Sequence, residues 1–162
     1  MHSKLILALI LLVVLSNAIW GNIGGWTLSP NAKLEKVTSP VKFGTRSGKL
    51  TNLAASNENT SQSLLAVNGE KYFVNGWVYT PTTTTFANGN TFVNINQTID
   101  VTKTVQDLLG AGFTGDNIWH EVLFVFTADG TFSIEFYTGS TTINNYVCWD
   151  NYVIKSICFS NV

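Results

Sequence analysis

The sequence predicts an all-β fold, in which short antiparallel strands form two packed sheets or a closed barrel. Stretches that alternate apolar and polar residues, rich in β-branched and aromatic side chains, recur along the chain. Turn signals separate these stretches, and the strongest is Asp129-Gly130 between two apolar stretches. No internal repeat and no linker interrupts the pattern. We therefore expect a single β-sandwich domain over residues 19–162.

The predicted strands are bounded by Gly, Pro, Asn or Asp residues. In chain order they are Leu50–Ala54, Ser61–Val67, Lys71–Thr80, Thr91–Ile99, Ile118–Thr127, Thr131–Thr138 and Tyr146–Ile157. The segment before Ile118 differs, because Val105, Leu108 and Leu109 are spaced for a short helix. Gly110 and Gly112 are expected to end that helix.

The N-terminus has the three parts of a secretory signal peptide over residues 1–18. Lys4 precedes an apolar run from Leu5 to Leu15, and small residues at Ser16 and Ala18 form a cleavage site. The run is too short to span a bilayer, which disfavours the alternative of an uncleaved anchor helix. We expect cleavage after Ala18, a secreted chain and no membrane anchor, since no second long apolar run follows.

The chain carries few charges, and they are nearly balanced. Charged residues are 12 % of the sequence and the formal net charge is −1, whereas an average soluble protein has about 25 % charged residues. Binding to nucleic acid or to an anionic membrane requires a dense basic patch, which is absent here. We expect neither partner, and we expect a monomer.

Cysteine and histidine are too sparse for a zinc site. Cys148 and Cys158 are the two cysteines, and His120 is the one histidine outside the signal peptide. If one strand held both cysteines, they would lie roughly 30 Å apart and could not form a disulfide bond. A disulfide would require a turn near Asp150-Asn151. We favour two buried or free thiols, with the disulfide as the alternative.

Alternation along the strands divides their residues between two faces. Apolar faces are predicted to form the core, and they comprise Tyr72, Val74 and Val78 in one strand and Phe132, Ile134 and Phe136 in another. The opposite faces mix aromatic rings with amides and a carboxylate: Phe73, Asn75, Trp77 and Tyr79; Glu135 and Tyr137; and Asn94. Flat rings stack on sugar rings, and amide or carboxylate groups form hydrogen bonds with sugar hydroxyls.

Several segments resemble carbohydrate-binding modules with a galactose-binding-like jelly roll, the group of families four, nine and twenty-two. The strongest likeness is the strand Asn68–Tyr79, which is similar to the "gkeYtlsfwvk" strand of these modules. Trp119–Val122 resembles their "W..v" strand, and Thr131–Tyr137 resembles their "t..i.fy" strand. Trp149–Ile154 resembles the closing "yiDDv.l" strand. The resemblance extends over residues 26–157.

The resemblance implies a jelly-roll sandwich whose concave sheet binds glycan chains without catalysis. It places Trp119 and Trp149 in the core. Family members often hold a structural calcium ion through an N-terminal "NGGFE"-like strand and the Asp of the closing strand. Asn22–Trp26 lacks the glutamate, so Asp150 is the only residue that matches a calcium ligand. No other cofactor is implied.

We therefore predict a secreted carbohydrate-binding protein with one groove on the mixed faces. The candidate ligand-binding residues are Trp77, Asn75, Tyr79, Asn94, Glu135 and Tyr137. Trp77 is expected to stack on a sugar ring, and its alternative role is a core tryptophan of the second sheet. Glu135 and Tyr137 could equally lie on an exposed strand face without a ligand. A structural or adhesion protein that lost the sugar site is the alternative function.

Catalysis is not expected. A glycosidase requires two carboxylates across one cleft, and Glu135 and Asp150 are the strand carboxylates predicted to be nearest neighbours. We interpret Asp150 as a buried hydrogen-bonding group of the closing strand instead. His120 and Glu121 are adjacent in a strand and therefore point to opposite faces.

Two sequences match the N-glycosylation signal. They are Asn59-Thr60-Ser61 and Asn96-Gln97-Thr98. Because Asn96 shares a face with Asn94, a glycan there would obstruct the predicted groove. The sequence alone leaves the use of both signals open.

Overall fold

The computed structural model describes residues 25–157, so the predicted signal peptide and Cys158 lie outside the described residues. The described chain forms strands and one short helix. In chain order these are β1 (Thr27–Leu28), β2 (Ala32–Val37), β3 (Ser47–Asn52), β4 (Asn59–Leu64), β5 (Lys71–Thr80), β6 (Thr91–Asn96), β7 (Val101–Thr104), α1 (Val105–Leu109), β8 (Ile118–Thr127), β9 (Phe132–Tyr137) and β10 (Tyr146–Ser156). The predicted all-β class is confirmed.

The strands form two five-stranded antiparallel sheets. Sheet A has the strand order β1-β4-β9-β6-β7, and sheet B has the order β2-β3-β10-β5-β8. One face of each sheet contributes to a common apolar core, as in a jelly-roll β-sandwich. Both sheets pair strands that are distant in the chain; β4 pairs with β9, for example, and β3 with β10. This topology places neighbouring site residues on strands far apart in sequence.

The core contains the apolar faces that alternation predicted. Val74 and Val78 of sheet B are fully buried, and Phe132, Ile134 and Phe136 of sheet A are at most 2 % exposed. Tyr72 packs against this core. Trp149 is fully buried and lies against Phe136, with their ring centroids 5.0 Å apart. The prediction that these two strand faces share one core is confirmed.

The bounds of β5 and β8 match the predicted strands, whereas β1, β2 and β7 were not predicted. These three strands lie at the edges of the sheets, where few side chains are buried. In β2 only Leu34 is buried, and the remaining residues include three charged side chains. An edge strand needs no continuous apolar face, so alternation gave no signal there.

The predicted short helix is present as α1. Thr104 caps its N-terminus, because the Thr104 hydroxyl accepts from the Asp107 backbone N–H while the Asp107 carboxylate accepts from the Thr104 N–H. Gly110 lies at its C-terminal end with a positive φ of 97°. Within residues 25–157 no helix is both long and apolar enough to cross a bilayer.

Cys148 lies in the middle of sheet B and is fully buried as a free thiol. Burial raises its pKa to about 12. β10 continues from Tyr146 to Ser156 and pairs with β5 on both sides of an irregularity between Asp150 and Val153. The chain therefore makes no turn near Asp150-Asn151, which is what a disulfide to Cys158 would require.

Candidate functional site

The six predicted ligand-binding residues lie on two different sheets. Asn75, Trp77 and Tyr79 alternate with buried residues of β5, so they point to the outer face of sheet B. Asn94, Glu135 and Tyr137 point to the outer face of sheet A, because their strand neighbours Val93, Ile134 and Phe136 face the core. The core separates the two groups. The prediction that all six line one groove is therefore wrong.

On sheet A, the carboxylate of Glu135 collects hydrogen bonds from three side chains. The Nδ2 atom of Asn94 lies 3.1 Å from Oε2, and Nδ2 of Asn96 lies 3.1 Å from Oε1. The Tyr137 hydroxyl donates to Oε2 at 2.9 Å. We call these four residues the Glu135 cluster.

Strand register brings the cluster together. Asn94 of β6 lies directly opposite Glu135 of β9, and Asn96 lies opposite Ser133. Tyr137 follows Glu135 by two residues and so shares its face. Thr102 of β7 then donates to Oδ1 of Asn94 at 2.9 Å, which orients the Asn94 amide so that its nitrogen faces Glu135.

The surroundings of the Glu135 cluster are polar and almost uncharged. Asn59 and Ser61 of β4 lie opposite Tyr137 and Glu135, respectively. Among the residues of the five strands of sheet A, only Glu135 and Lys103 are charged, and Lys103 lies opposite the core-facing Val93. Glu135 is therefore the one charged residue on this face of the strands.

The phenol of Tyr137 is held in its neutral form. Its pKa is raised to about 12, primarily by burial. The hydrogen bond to Glu135 and the negative charge of that carboxylate raise the pKa further, whereas a hydrogen bond with Asn59 lowers it in part. At neutral pH the hydroxyl thus donates to Glu135 while its ring lies half-buried on the face.

We expect Tyr137 to make folding stability decline at high pH. The unfolded phenol titrates near about 10, and the folded one at about 12. The folded state therefore keeps the proton of Tyr137 to a higher pH than the unfolded state does. The resulting contribution of Tyr137 to folding stability is fully present below the pKa of the unfolded phenol, and it is lost as the pH rises through the pKa of the folded one. An absorbance titration of wild type minus Tyr137→Phe should show a phenolate transition near pH 12. A difference transition near the unperturbed value would contradict this assignment.

The arrangement is suited to binding neutral hydroxyl groups. A carboxylate accepts up to about four hydrogen bonds, and the exposed amide of Asn96 provides donors and an acceptor. Asn94 is 7 % exposed, and its amide is engaged by Glu135 and Thr102. A half-buried tyrosine ring supplies an apolar surface beside them. The pair of carboxylates that glycoside hydrolysis requires is not formed by Glu135 and Asp150, because these residues lie on different sheets. The prediction that they are neighbours is wrong.

On sheet B, the other three predicted residues make contacts within the protein. The ammonium of Lys42 lies 3.9 Å from the centre of the Trp77 ring, and the Phe43 ring meets Trp77 edge-on. Asn75 donates to the Glu121 carboxylate at 2.6 Å, and the Tyr79 hydroxyl to Asn117 at 3.2 Å. Trp77 is thus not a core residue. Its ring is also not free to stack on a sugar, because the segment before β3 that contains Lys42 and Phe43 lies over it.

Asp150 holds that segment in place. Its Oδ2 atom accepts the backbone N–H groups of Lys42 and Phe43 at 2.9 and 3.0 Å, and the residue is 1 % exposed. The interpretation of Asp150 as a buried hydrogen-bonding group is confirmed. As for calcium, the residues 25–157 contain no group of three acidic, histidine or cysteine side chains that could hold a metal ion.

The structure overturns one assignment on β8, that of Trp119, and supplies a partner for His120. Trp119 lies opposite Tyr79 on the outer face of sheet B, with ring centroids 5.7 Å apart, so its predicted place in the core is wrong. His120 contacts Asp116 at 3.0 Å and not Glu121. Burial alone would raise the pKa of Asp116, but hydrogen bonds with His120, Ile118 and Thr80 lower it overall.

Two members of the site were not predicted as ligand-binding residues. The sequence marks Asn96 as part of a glycosylation signal, and its position two residues after Asn94 also places it on the same strand face. Asn59 belongs to a strand that alternation predicted to begin only at Ser61. The sequence signal for Asn96 was therefore present, whereas the position of Asn59 depends on pairing with β9.

Solved structures show where this fold occurs. The CBM22-1 xylan-binding domain of Xyn10C from Paenibacillus barcinonensis superposes with a TM-score of 0.62 at 16% identity, covering 84% of this chain and 88% of that one. The C-terminal family 22 carbohydrate-binding module of Xyn10B from Clostridium thermocellum has a TM-score of 0.59 at 16% identity, covering 84% and 87%. Both are similar to this chain over nearly their full length.

The fold also occurs within larger proteins. The enzymatically active domain of tailspike protein 4 from bacteriophage CBA120 matches with a TM-score of 0.57 at 13% identity, covering 84% of this chain but only 20% of that one. No family model and no curated protein matches the sequence. The superpositions on solved structures confirm the resemblance to galactose-binding-like jelly rolls in three dimensions, and this chain has the fold of the family 22 xylan-binding modules.

Proposed function

We propose that this chain is a secreted, non-catalytic carbohydrate-binding protein that binds a polysaccharide on the outer face of sheet A. The observation that carries the proposal is the Glu135 cluster, in which a carboxylate, two amides and a phenol converge on a polar face of the strands with a single charge. The fold supports it, since structures with the same fold include xylan-binding domains. Secretion rests on the signal peptide predicted over residues 1–18.

The chemistry of the face determines the class of ligand. A single carboxylate among amides and hydroxyls accepts hydrogen bonds from neutral hydroxyls and repels anions. An uncharged polysaccharide meets this pattern along several sugar units, and the ring of Tyr137 provides a surface for a sugar face. We expect binding without cleavage, because no second carboxylate lies across the face from Glu135 on the strands of sheet A.

We expect weak binding, roughly millimolar to micromolar, because each hydrogen bond to a sugar replaces one to water. The first ligand to test is soluble xylan, beside mixed-linkage β-glucan, xyloglucan and galactomannan. Affinity electrophoresis of the wild type through gels that contain each polysaccharide measures the dissociation constant directly. Retardation by a polysaccharide of this panel is the expected result.

Glu135→Ala is expected to weaken this binding by about tenfold or more, since a hydrogen bond to a charged group contributes about 1.5–3 kcal/mol. Tyr137→Phe should weaken it less, because the ring remains. Trp77→Ala is the matched control on sheet B and should change the affinity less than about twofold. Thermal unfolding of each variant verifies that the fold is retained.

The outcomes separate the candidate functions. Loss of binding in folded Trp77→Ala with full binding in Glu135→Ala would move the site to sheet B. Wild-type protein that binds no polysaccharide of the panel and no glycan of an array would contradict the proposal and favour the structural or adhesion function.

A further inference from the structure

Both N-glycosylation signals of the chain lie on the same sheet face as the Glu135 cluster. Asn59 is opposite Tyr137, and its neighbour Thr60 is fully buried, so Asn59 points outward from sheet A. Asn96 is opposite Ser133 and is exposed at the end of β6. The two asparagines therefore flank β9 from β4 on one side and from β6 on the other.

Both asparagines lie at the cluster. Nδ2 of Asn96 lies 3.1 Å from Oε1 of Glu135, and Asn59 lies directly opposite Tyr137 on the neighbouring strand. An N-linked glycan is attached through this same amide nitrogen. The first sugar on Asn96 would begin within hydrogen-bonding distance of Glu135, and the first sugar on Asn59 would begin beside Tyr137.

We propose that Asn59 and Asn96 are N-glycosylation sites and that a glycan on either one closes the binding face of sheet A. This inference rests on the proposed function, because it regulates the same site. Transfer forms a bond between the amide nitrogen and C1 of the first sugar of a lipid-linked oligosaccharide pyrophosphate. The bond from C1 to phosphate breaks, the lipid pyrophosphate leaves, and the amide loses one proton.

Glycan attachment changes the cluster in two ways. A glycan on Asn96 replaces one hydrogen of the amide that can face Glu135. A glycan on Asn59 places a bulky, hydrated group over the half-buried ring of Tyr137. Because both asparagines lie in paired strands, the transfer takes place before sheet A forms. The extent of glycosylation would then set the fraction of secreted molecules that can bind.

The test compares the same protein from two hosts. Wild type and the double variant Ser61→Ala/Thr98→Ala are produced in bacteria and are also secreted from eukaryotic cells. The variant destroys both signals but keeps Asn59 and Asn96. Removal of the glycan by an amidase is a poorer control, because that reaction converts asparagine to aspartate and would add a carboxylate beside Glu135. Intact mass and glycopeptide analysis measure occupancy.

We expect secreted wild type to carry a glycan at one or both sites and to bind the best-bound polysaccharide of the panel at least about tenfold more weakly than bacterial wild type. The double variant should bind equally from both hosts. Secreted wild type without a glycan on either asparagine, or a glycosylated form that binds like the bacterial form, would overturn the inference. If bacterial wild type binds nothing, the proposed function fails, and so does the proposal that a glycan closes the binding face. The measured glycan occupancy of Asn59 and Asn96 still tests whether they are glycosylation sites.

Discussion

Phe136→Ala will lower the free energy of unfolding by about 3–5 kcal/mol, the range measured for truncating large core side chains. The Phe136 side chain is 1 % exposed, and its ring centroid lies 4.1 Å from that of Tyr152 and 5.0 Å from that of Trp149. These partners belong to sheet B, so the substitution leaves a cavity between the sheets. Urea unfolding followed by tryptophan fluorescence measures the loss.

Leu123→Ala is the matched control for this cavity. Leu123 is 51 % exposed on the edge strand β8, and its truncation is expected to cost less than about 0.5 kcal/mol. A cost below about 1 kcal/mol for Phe136→Ala would contradict the assignment of the inner face of β9.

Gly76→Ala will also destabilise the fold strongly, by about 1–3 kcal/mol or more, because it overfills the core. A methyl group at this position would lie 2.6 Å from three atoms of the Tyr152 ring. That ring is 1 % exposed and packs against Phe136 and Trp149, which restricts its movement. Chemical unfolding of the variant gives the cost.

Two comparisons identify the cause of that cost. Gly89→Ala is the control, because no atom lies within 4 Å of a methyl group there. In a Tyr152→Ala background Gly76→Ala should cost much less, and the double-mutant cycle measures this coupling. Equal costs in both backgrounds would show that the Tyr152 ring is not the obstacle.

Much of the fold was predictable because β-strand alternation is local. Lys71–Thr80 and Ile118–Thr127 were predicted with the bounds that β5 and β8 have. The polar and apolar faces of β9 were also predicted correctly, since Phe132, Ile134 and Phe136 are buried and Glu135 and Tyr137 are not. Phe92 is an exception: alternation places it on the same outer face as Asn94, two residues later, but it is fully buried beside an irregular pairing of β6 with β7.

The candidate site was only partly predictable. Alternation identified Asn94, Glu135 and Tyr137 as outward-facing, and the structure brings them together in one cluster. Alternation also identified Asn75, Trp77 and Tyr79 as outward-facing, but alternation along one strand contains no information about which sheet that strand joins. These residues were therefore assigned to the same groove, although sheet B carries them on the opposite side of the core.

Sequence alone was enough for the all-β class and for the inward and outward faces of β5 and β9. These depend on which neighbours in the chain alternate, and that is visible in a single strand. The positions of Asn59 and Asn96 on either side of β9, and of Lys42 over Trp77, depend on the tertiary fold. Those contacts join segments that are distant in the chain, and their partners are selected by the packing of the whole sandwich, so no local pattern records them.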